Sequence, residues 1–289
     1  MRKGIILSGG LGTRLYPLTI SVIKQLLPVY DKPMIYYPLS TLLSFGIKDI
    51  LIISTPKDCS NLENLFKDGS EFGINIQYKI QEKPNGIAES LILAEDFLCG
   101  SPCALILGDN LFLGDLVDNI TLSKIINNSE SIVFSTEVSN PERYGVIVFD
   151  NNNNPVEIIE KPKFSNSKSV ITGLYFYDSN APKIAKKLKP SPRGKLEITD
   201  LNNFYLKKSN LKVINLKKSC VWLDAGTFET LNDAAQIVKG MEKMTGQKFG
   251  CFEEICFNLG YINKDKLKKI INRHRSSDYG NYLKRFLKS

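Results

Sequence analysis

Short apolar runs alternate with stretches of helical periodicity through the first two-thirds of the chain. Strand-like runs fall at Gly4–Leu7, Ile50–Ser54, Ile74–Ile80, Ala104–Leu107, Ser131–Thr136 and Gly145–Phe149. Between them, Pro33–Phe45, Ser60–Phe66, Ile87–Phe97 and Leu116–Ile126 place apolar residues at the helix period. Such alternation predicts an α/β fold whose largely parallel sheet is covered by helices on both faces. Ligands in such sheets gather at the carboxyl ends of the strands. After Phe149 the pattern changes. Asp150-Asn151-Asn152-Asn153-Asn154-Pro155 reads as a polar turn, and strands follow at Val156–Glu160, Val170–Tyr177 and Lys212–Leu216. From Thr227 the reading is helical, at Thr227–Met244, Lys264–Ile271 and Tyr279–Leu287. The expected organisation is a Rossmann-like, mostly parallel mixed sheet over residues 1–226 and a helical region over 227–289.

Composition narrows the chemistry. A chain of 289 residues with 43% hydrophobic and 24% charged residues suits a folded α/β protein with a sizeable core. No apolar run reaches the roughly 20 residues of a membrane span, and the first residues carry no leader pattern. The six cysteines show no C-x-x-C spacing, which favours reduced thiols and a cytoplasmic setting. The formal charge of +8 is concentrated in the tail, where Lys239 onward holds 12 basic against 5 acidic residues. There Lys264, Lys266, Lys268 and Lys269 interleave with Leu267, Ile270 and Ile271. That is the pattern of a helix with a solvated basic face, so no nucleic-acid partner is expected. The single histidine, His274, excludes multi-histidine zinc sites and leaves acid, base and metal work to carboxylates and lysines.

The densest chemical signal is the junction Ser8-Gly9-Gly10-Leu11-Gly12-Thr13-Arg14-Leu15, directly after the first strand. Glycines allow positive φ and close approach of backbone N–H groups to an anion. The dinucleotide fingerprint G-x-G-x-x-G and the Gly-Lys-Ser/Thr of a P-loop are both missing. From the glycines alone, a plain turn with a solvated arginine fits equally well. Lys24 adds a second cation and points toward a triphosphate. Asp109, in Leu107-Gly108-Asp109-Asn110, and Asp224, in Val221-Trp222-Leu223-Asp224, each close an apolar run. Carboxylates there suit Mg2+, which takes one or two carboxylates plus phosphate oxygens. Each alone is as readily a turn or capping aspartate. Thr227 can cap the next helix, leaving Asp224 free. A third cluster joins Pro141-Glu142-Arg143-Tyr144-Gly145 to Glu160-Lys161-Pro162, where Glu160 could bond sugar hydroxyls and Lys161 a phosphate.

Taken with Lys24–Ser40, Thr172–Asp178, Pro190–Gly194 and Leu196–Asp200, these segments run in order through most of the chain. They resemble the bacterial glucose-1-phosphate thymidylyltransferases of the sugar nucleotidyltransferase family, which feed deoxysugar pathways such as dTDP-rhamnose and lipopolysaccharide biosynthesis. The resemblance implies that dTTP and glucose 1-phosphate give dTDP-glucose and pyrophosphate with Mg2+ as cofactor. It implies catalytic roles for Arg14, Lys24, Asp109 and Lys161. Nucleotide contacts fall to Leu7, Gly9, Gly10, Gly12, Thr13, Arg14, Gln81, Gly86 and Asp109. Sugar-phosphate contacts fall to Lys24, Asn110, Tyr144, Gly145, Glu160, Lys161 and Ile171, and metal ligation to Asp109 and Asp224. A sugar-binding insertion, a homotetramer assembled through the helical tail, and no membrane partner also follow from it. Other readings are nucleotidyl transfer, uridylyl for instance, to a different sugar phosphate, and a non-catalytic nucleotide-sugar sensor. The chain departs from the family in Ser8 before the glycines, in Ile87-Ala88-Glu89 where Leu-Ala-Gln is common, and around Phe112–Asp115 and Cys251–Asn258, where feedback-site residues are expected.

Overall fold

A computed structural model describes residues 1–10 and 12–288. Its thirteen strands in chain order are β1 (Lys3–Ser8), β2 (Pro28–Val29), β3 (Lys32–Pro33), β4 (Asp49–Ser54), β5 (Asn75–Ile80), β6 (Cys103–Leu107), β7 (Asn110–Leu113), β8 (Ser131–Glu137), β9 (Gly145–Phe149), β10 (Pro155–Glu160), β11 (Ser169–Tyr177), β12 (Leu211–Asn215) and β13 (Val221–Asp224). Nine of them form one sheet in which β10, β9, β11, β6, β1, β4 and β5 lie in that order and β8 and β12 branch from β11. β1 pairs in parallel with β4 and β6, β4 with β5, and β8 with β12. β11 runs against β6 and β8, and β10 against β9. The mixed, mostly parallel sheet expected from the pattern is therefore present, with β10 and β11 as its reversed strands.

Adjacent residues of the central strands serve opposite faces, as the two-residue period of a strand requires. Ile6, Ile52 and Ile106 join Leu39, Phe252, Leu267 and Ile270 in one hydrophobic cluster. Ile5, Leu51 and Leu105 join Leu91, Leu98, Ile198 and Tyr205 in the other. The first cluster unites the helix Tyr36–Ser44 with the C-terminal helices Phe252–Asn258, Lys264–His274 and Asp278–Leu283. Leu267, Ile270 and Ile271 are buried there, so the basic stretch 264–269 is the outer face of a core helix.

Differences from the sequence reading have local causes. The helix expected at Ile87–Phe97 is two short helices, Glu89–Leu93 and Glu95–Leu98. That expected at Tyr279–Leu287 is likewise Asp278–Leu283 followed by Arg285–Lys288. The helix Ile198–Lys207 was not anticipated, although Ile198, Leu201 and Tyr205 bury one face of it. Asn202, Asn203 and Thr199 are poor helix formers and mask that spacing. Thr227 does cap its helix, Phe228–Thr245, with Thr230 completing a reciprocal capping box.

The site is prepared by an interruption in β11. On one side its later residues, 174–177, pair with β6, while Val170 pairs with Val146 of β9. Between Ile171 and Tyr175 its register with β8 also shifts. Thr172 and Gly173 thus face an opening between the end of β6 and the start of β9.

Candidate active site

Two aspartates far apart in sequence meet because β7 and β13 form a separate antiparallel pair in which Asn110 lies opposite Asp224. Asp109 directly precedes β7 and Asp224 closes β13, so the pairing places both carboxylates at one end of the ribbon. The Ala225 amide also donates to the Asp109 carbonyl at 3.1 Å.

Lys24 forms an ion pair with Asp109. It reaches there because the neighbouring Gln25 packs on Gly108, where a Cβ would stand 2.8 Å from the Gln25 side chain. Burial by itself would raise the Asp109 carboxyl, but the Lys24 ammonium and the Asn110 amide outweigh it and hold Asp109 below its ordinary value. Asp224 responds oppositely. Burial first, and then the Asp109 charge, push it up to about 6 against the pull of Lys24, Arg14 and Arg143. Two close carboxylates, one ionised and one reluctant to ionise, are a donor set that a divalent cation would relieve. The expected metal residues fit such an ion.

Three adjoining cavities surround this centre. The first, about 340 Å³, is lined by Arg14, Asp109, Asn110, Tyr144, Gly145, Glu160, Lys161, Ile171 and Asp224, among others. The second, about 250 Å³, is lined by Gly9, Gly10, Gly12, Thr13, Arg14, Lys24, Asp109 and Gly226. The third, about 290 Å³, includes Gly10, Lys24, Gln81, Glu82 and Pro84. Arg14 and Asp109 belong to both the first and the second, and Gly10 and Lys24 to both the second and the third. The result is a continuous cleft whose middle part is rimmed by glycine backbone and two cations.

The glycine loop is open for an anion. Gly10 and Gly12 take φ of +103° and +60°, and nothing would obstruct a Cβ at Gly10. The Thr19 hydroxyl donates to the Gly12 carbonyl at 2.7 Å and fixes the turn. Leu11 lies outside the described residues. Leu7 sits behind the loop, its carbonyl taking the Gly108 amide at 2.9 Å. Gly86, at φ +119°, packs on the Leu196 backbone, where a Cβ would come within 2.3 Å of a carbonyl oxygen.

In the first cavity, Thr199 donates to Glu160 at 2.6 Å and the Arg193 guanidinium lies 3.4 Å from the same carboxylate. Lys161 is held at φ 46° with its amide on the Tyr144 carbonyl. Asn110 is largely committed to structure. Its Oδ1 accepts from the Gly173 amide at 3.0 Å and from Trp222 Nε1 at 2.7 Å, while its Nδ2 donates to Asp109 at 3.0 Å. Gly173 is required there, because a Cβ would fall 2.4 Å from that oxygen. Sequence reasoning did not single out Arg143, Thr199 or Trp222. Arg143 Nη2 lies 3.9 Å from Asp224 and is buried with no hydrogen-bond partner among the described residues. Its only signal was its place between the expected Tyr144 and a proline-led turn.

A nucleotidyl transferase family profile matches residues 3–240. The chain belongs to this family. A glucose-1-phosphate thymidylyltransferase from Neisseria meningitidis is 46% identical over 286 residues, 99% of each chain. One from Mycolicibacterium smegmatis is 45% identical over 285 residues, again 99% of each. A Bacillus anthracis structure described under the same activity has 41% identity and a TM-score of 0.74, covering 82% of this chain and 95% of its own. A UDP-glucose pyrophosphorylase with bound UDP-glucose, at 22% identity and a TM-score of 0.72, shares the fold. Within the family, the match to the thymidylyltransferases thus runs the length of both chains.

Proposed function

We propose that this protein transfers dTMP from dTTP to α-D-glucose 1-phosphate, giving dTDP-glucose and pyrophosphate by direct in-line displacement. The observation that carries the reading is the three-part cleft, with Arg14, Lys24 and Asp109 at the junctions between its parts. The sugar phosphate occupies the cavity of Gly145, Glu160, Lys161 and Ile171. The triphosphate lies along the glycine loop, and the base meets Gln81. The attacking oxygen is already a phosphate anion, so no protein nucleophile or general base is needed.

Charge is the obstacle. Two phosphates ~4 Å apart repel by about 4 kcal/mol at an effective dielectric of 20. Arg14 sits where the sugar-phosphate and glycine-loop cavities meet, Lys24 meets the triphosphate where the glycine-loop and base cavities meet, and Lys161 steadies the incoming phosphate. Such fixed cations offset the repulsion and stabilise charge that grows in the transition state. Asp109 and Asp224 would hold Mg2+, which when bound neutralises phosphate oxygens and helps orient the α-phosphorus.

Among the described residues no helix is long and apolar enough to cross a membrane. We place the enzyme in the cytoplasm, where its free cysteines would stay reduced. The resemblance supports a homotetramer without nucleic-acid or membrane partners, and light scattering would test the assembly. The deciding assay follows pyrophosphate release from dTTP and other nucleotides with glucose 1-phosphate and Mg2+. Turnover with dTTP is expected. Background rates with every nucleotide, or a nucleotidylated side chain trapped on the protein, would overturn the mechanism.

A further inference from the structure

Arg143 is the cation that the proposed reaction leaves without a task. It ends the short turn Pro141–Arg143 and leads into β9. The Tyr144 amide donates to the Pro141 carbonyl and the Lys161 amide to the Tyr144 carbonyl, each at 3.0 Å. Arg143 and Lys161 are thus tied through one stretch of backbone on the wall of the first cavity. Arg143 lines neither the second nor the third cavity. Its guanidinium stands 5.8 Å from the Tyr144 ring centroid, and that ring packs edge-on against Trp222 at 5.1 Å.

The end of this side chain approaches Asp224. Nη2 lies 3.9 Å from Asp224 Oδ2, an ion pair too long for a hydrogen bond. The same nitrogen is buried with no hydrogen-bond partner among the described residues, although the side chain as a whole is 38% exposed. The other Asp224 oxygen faces a different arginine. Arg14 Nη2 and Asp224 Oδ1 both pack on Gly226, where a Cβ would stand 3.1 Å and 3.2 Å from them. The lysines nearby already have partners, Lys24 in Asp109 and Lys161 in Glu160 at 3.7 Å. A guanidinium cannot shed its charge, and its planar fork of N–H donors suits phosphate oxygens. A buried donor left unmade is costly, so the position favours an acceptor oxygen brought by a ligand.

We propose that Arg143 is a catalytic residue with two successive partners: it neutralises Asp224 in the metal-free protein, and it binds the sugar phosphate once a divalent cation takes that carboxylate. The inference rests on reading the first cavity as the sugar-phosphate site. Two positive charges at one carboxylate repel, so Arg143 and the cation compete for Asp224. Released from Asp224, the guanidinium faces the phosphate dianion in the same cavity, beside Lys161. Metal binding thereby readies the sugar-phosphate side of the cleft.

Arg143→Gln tests the two halves with opposite signs. Mn2+ titrated into the substrate-free protein, followed by electron paramagnetic resonance, should bind at least ~3-fold tighter than to wild type, because a screened like charge is gone. In the same variant the KM for glucose 1-phosphate should rise at least ~10-fold, the loss of a charge-assisted contact, while the KM for dTTP stays within about threefold. Arg143→Lys keeps the charge and should return the Mn2+ affinity to within about twofold of wild type. A merely structural residue would weaken both ligands or neither. Three results would overturn the proposal: Mn2+ affinity unchanged or lower in Arg143→Gln, an equal rise in both KM values, or the same Mn2+ affinity in the Gln and Lys variants. Absence of wild-type turnover with dTTP and glucose 1-phosphate would instead refute the reading of the reaction. The Mn2+ comparison needs no turnover and would still decide what Arg143 does at Asp224.

Discussion

Two clusters of lysine and carboxylate sit in this molecule, built from the same side chains and put to opposite uses. Around Lys32, buried to 3% exposure, the ammonium contacts Asp31 at 2.5 Å and Glu242 at 2.9 Å. Lys248 also pairs with Asp31, and with Glu242 at 3.1 Å, while the Phe249 amide donates to Glu242 at 3.0 Å. Cations match anions, and the cluster ties the β2–β3 hairpin to the helix Phe228–Thr245. Around Lys24 the balance is left open. Arg14, Lys24 and Arg143 accompany Asp109 and Asp224 on the walls of a continuous cleft. Ionisation of Asp31 is favoured in the closed cluster, whereas the open one favours it at Asp109 and opposes it at Asp224. Burial acts to raise Asp31, but Lys32 and Lys248 overcome it and hold its carboxyl low, whereas Asp224 is pushed up. A closed network holds the fold, and an open one waits for charged substrates.

The comparison is broken most severely by Lys24→Ala. It should lower kcat by about a thousandfold, as loss of a preorganised charge at a phosphoryl centre does, with wild-type circular dichroism and a smaller loss of stability than Lys32→Met. A variant that unfolds would move Lys24 into the structural class. Lys32→Met should do the reverse. Removing one partner of a buried ion pair costs about 3–5 kcal/mol, read as a lower denaturant midpoint, while kcat of the folded fraction falls less than about tenfold. A kcat loss rivalling that of Lys24→Ala would mean the two clusters are not separable.

The two classes could not have been told apart from residue types. What sequence did carry was the open cluster's backbone setting. Gly9, Gly10 and Gly12 follow a strand, Gly108 precedes Asp109, and Asp224 closes an apolar run, so each functional group announced itself by interrupting a hydrophobic pattern. Lys32 interrupts nothing in particular, and its partner Glu242 lies on a distant helix. The strands were legible because central strands are apolar on both faces. The helix Ile198–Lys207, which supplies Thr199 to Glu160, was hidden by its polar composition. The β7–β13 pairing depends on contacts between segments far apart, which periodicity cannot register. That pairing is what turns two ordinary strand-end aspartates into one metal-binding candidate.

A finer division lies within the open cluster, between its sugar-phosphate and nucleotide ends. Lys161 faces the first cavity and is absent from the walls of the glycine-loop cavity. Lys161→Ala should therefore raise KM for glucose 1-phosphate by about tenfold while KM for dTTP changes less than about threefold, the signature of a contact to one substrate. The opposite split would exchange the two ends of the cleft.

The smallest effect is the sharpest test of the contrast in ionisation. Asp224 has a folded value of about 6 against an ordinary 3.8, so between those values the folded protein binds its proton more tightly than the unfolded chain does. Its contribution to stability is complete below about pH 4, falls as pH rises toward 6, and above that remains a constant penalty. Asp31 has the opposite sign. Its carboxyl is held below 3.8, so its contribution is complete above that value and is lost as pH falls through the lower folded value. Asp224→Asn, which keeps the shape and removes the charge, should thus raise the melting temperature of the metal-free protein by a few degrees at pH 7.5 and hardly at all at pH 4. Asp31→Asn should lower it at pH 7.5, by an amount that shrinks in acid. Added Mg2+ should narrow the gap between wild type and Asp224→Asn at pH 7.5, because only the wild type keeps both carboxylates to bind it. Equal responses of the two variants to pH would show that burial alone, and not the open or closed state of each cluster, sets the cost of its charge.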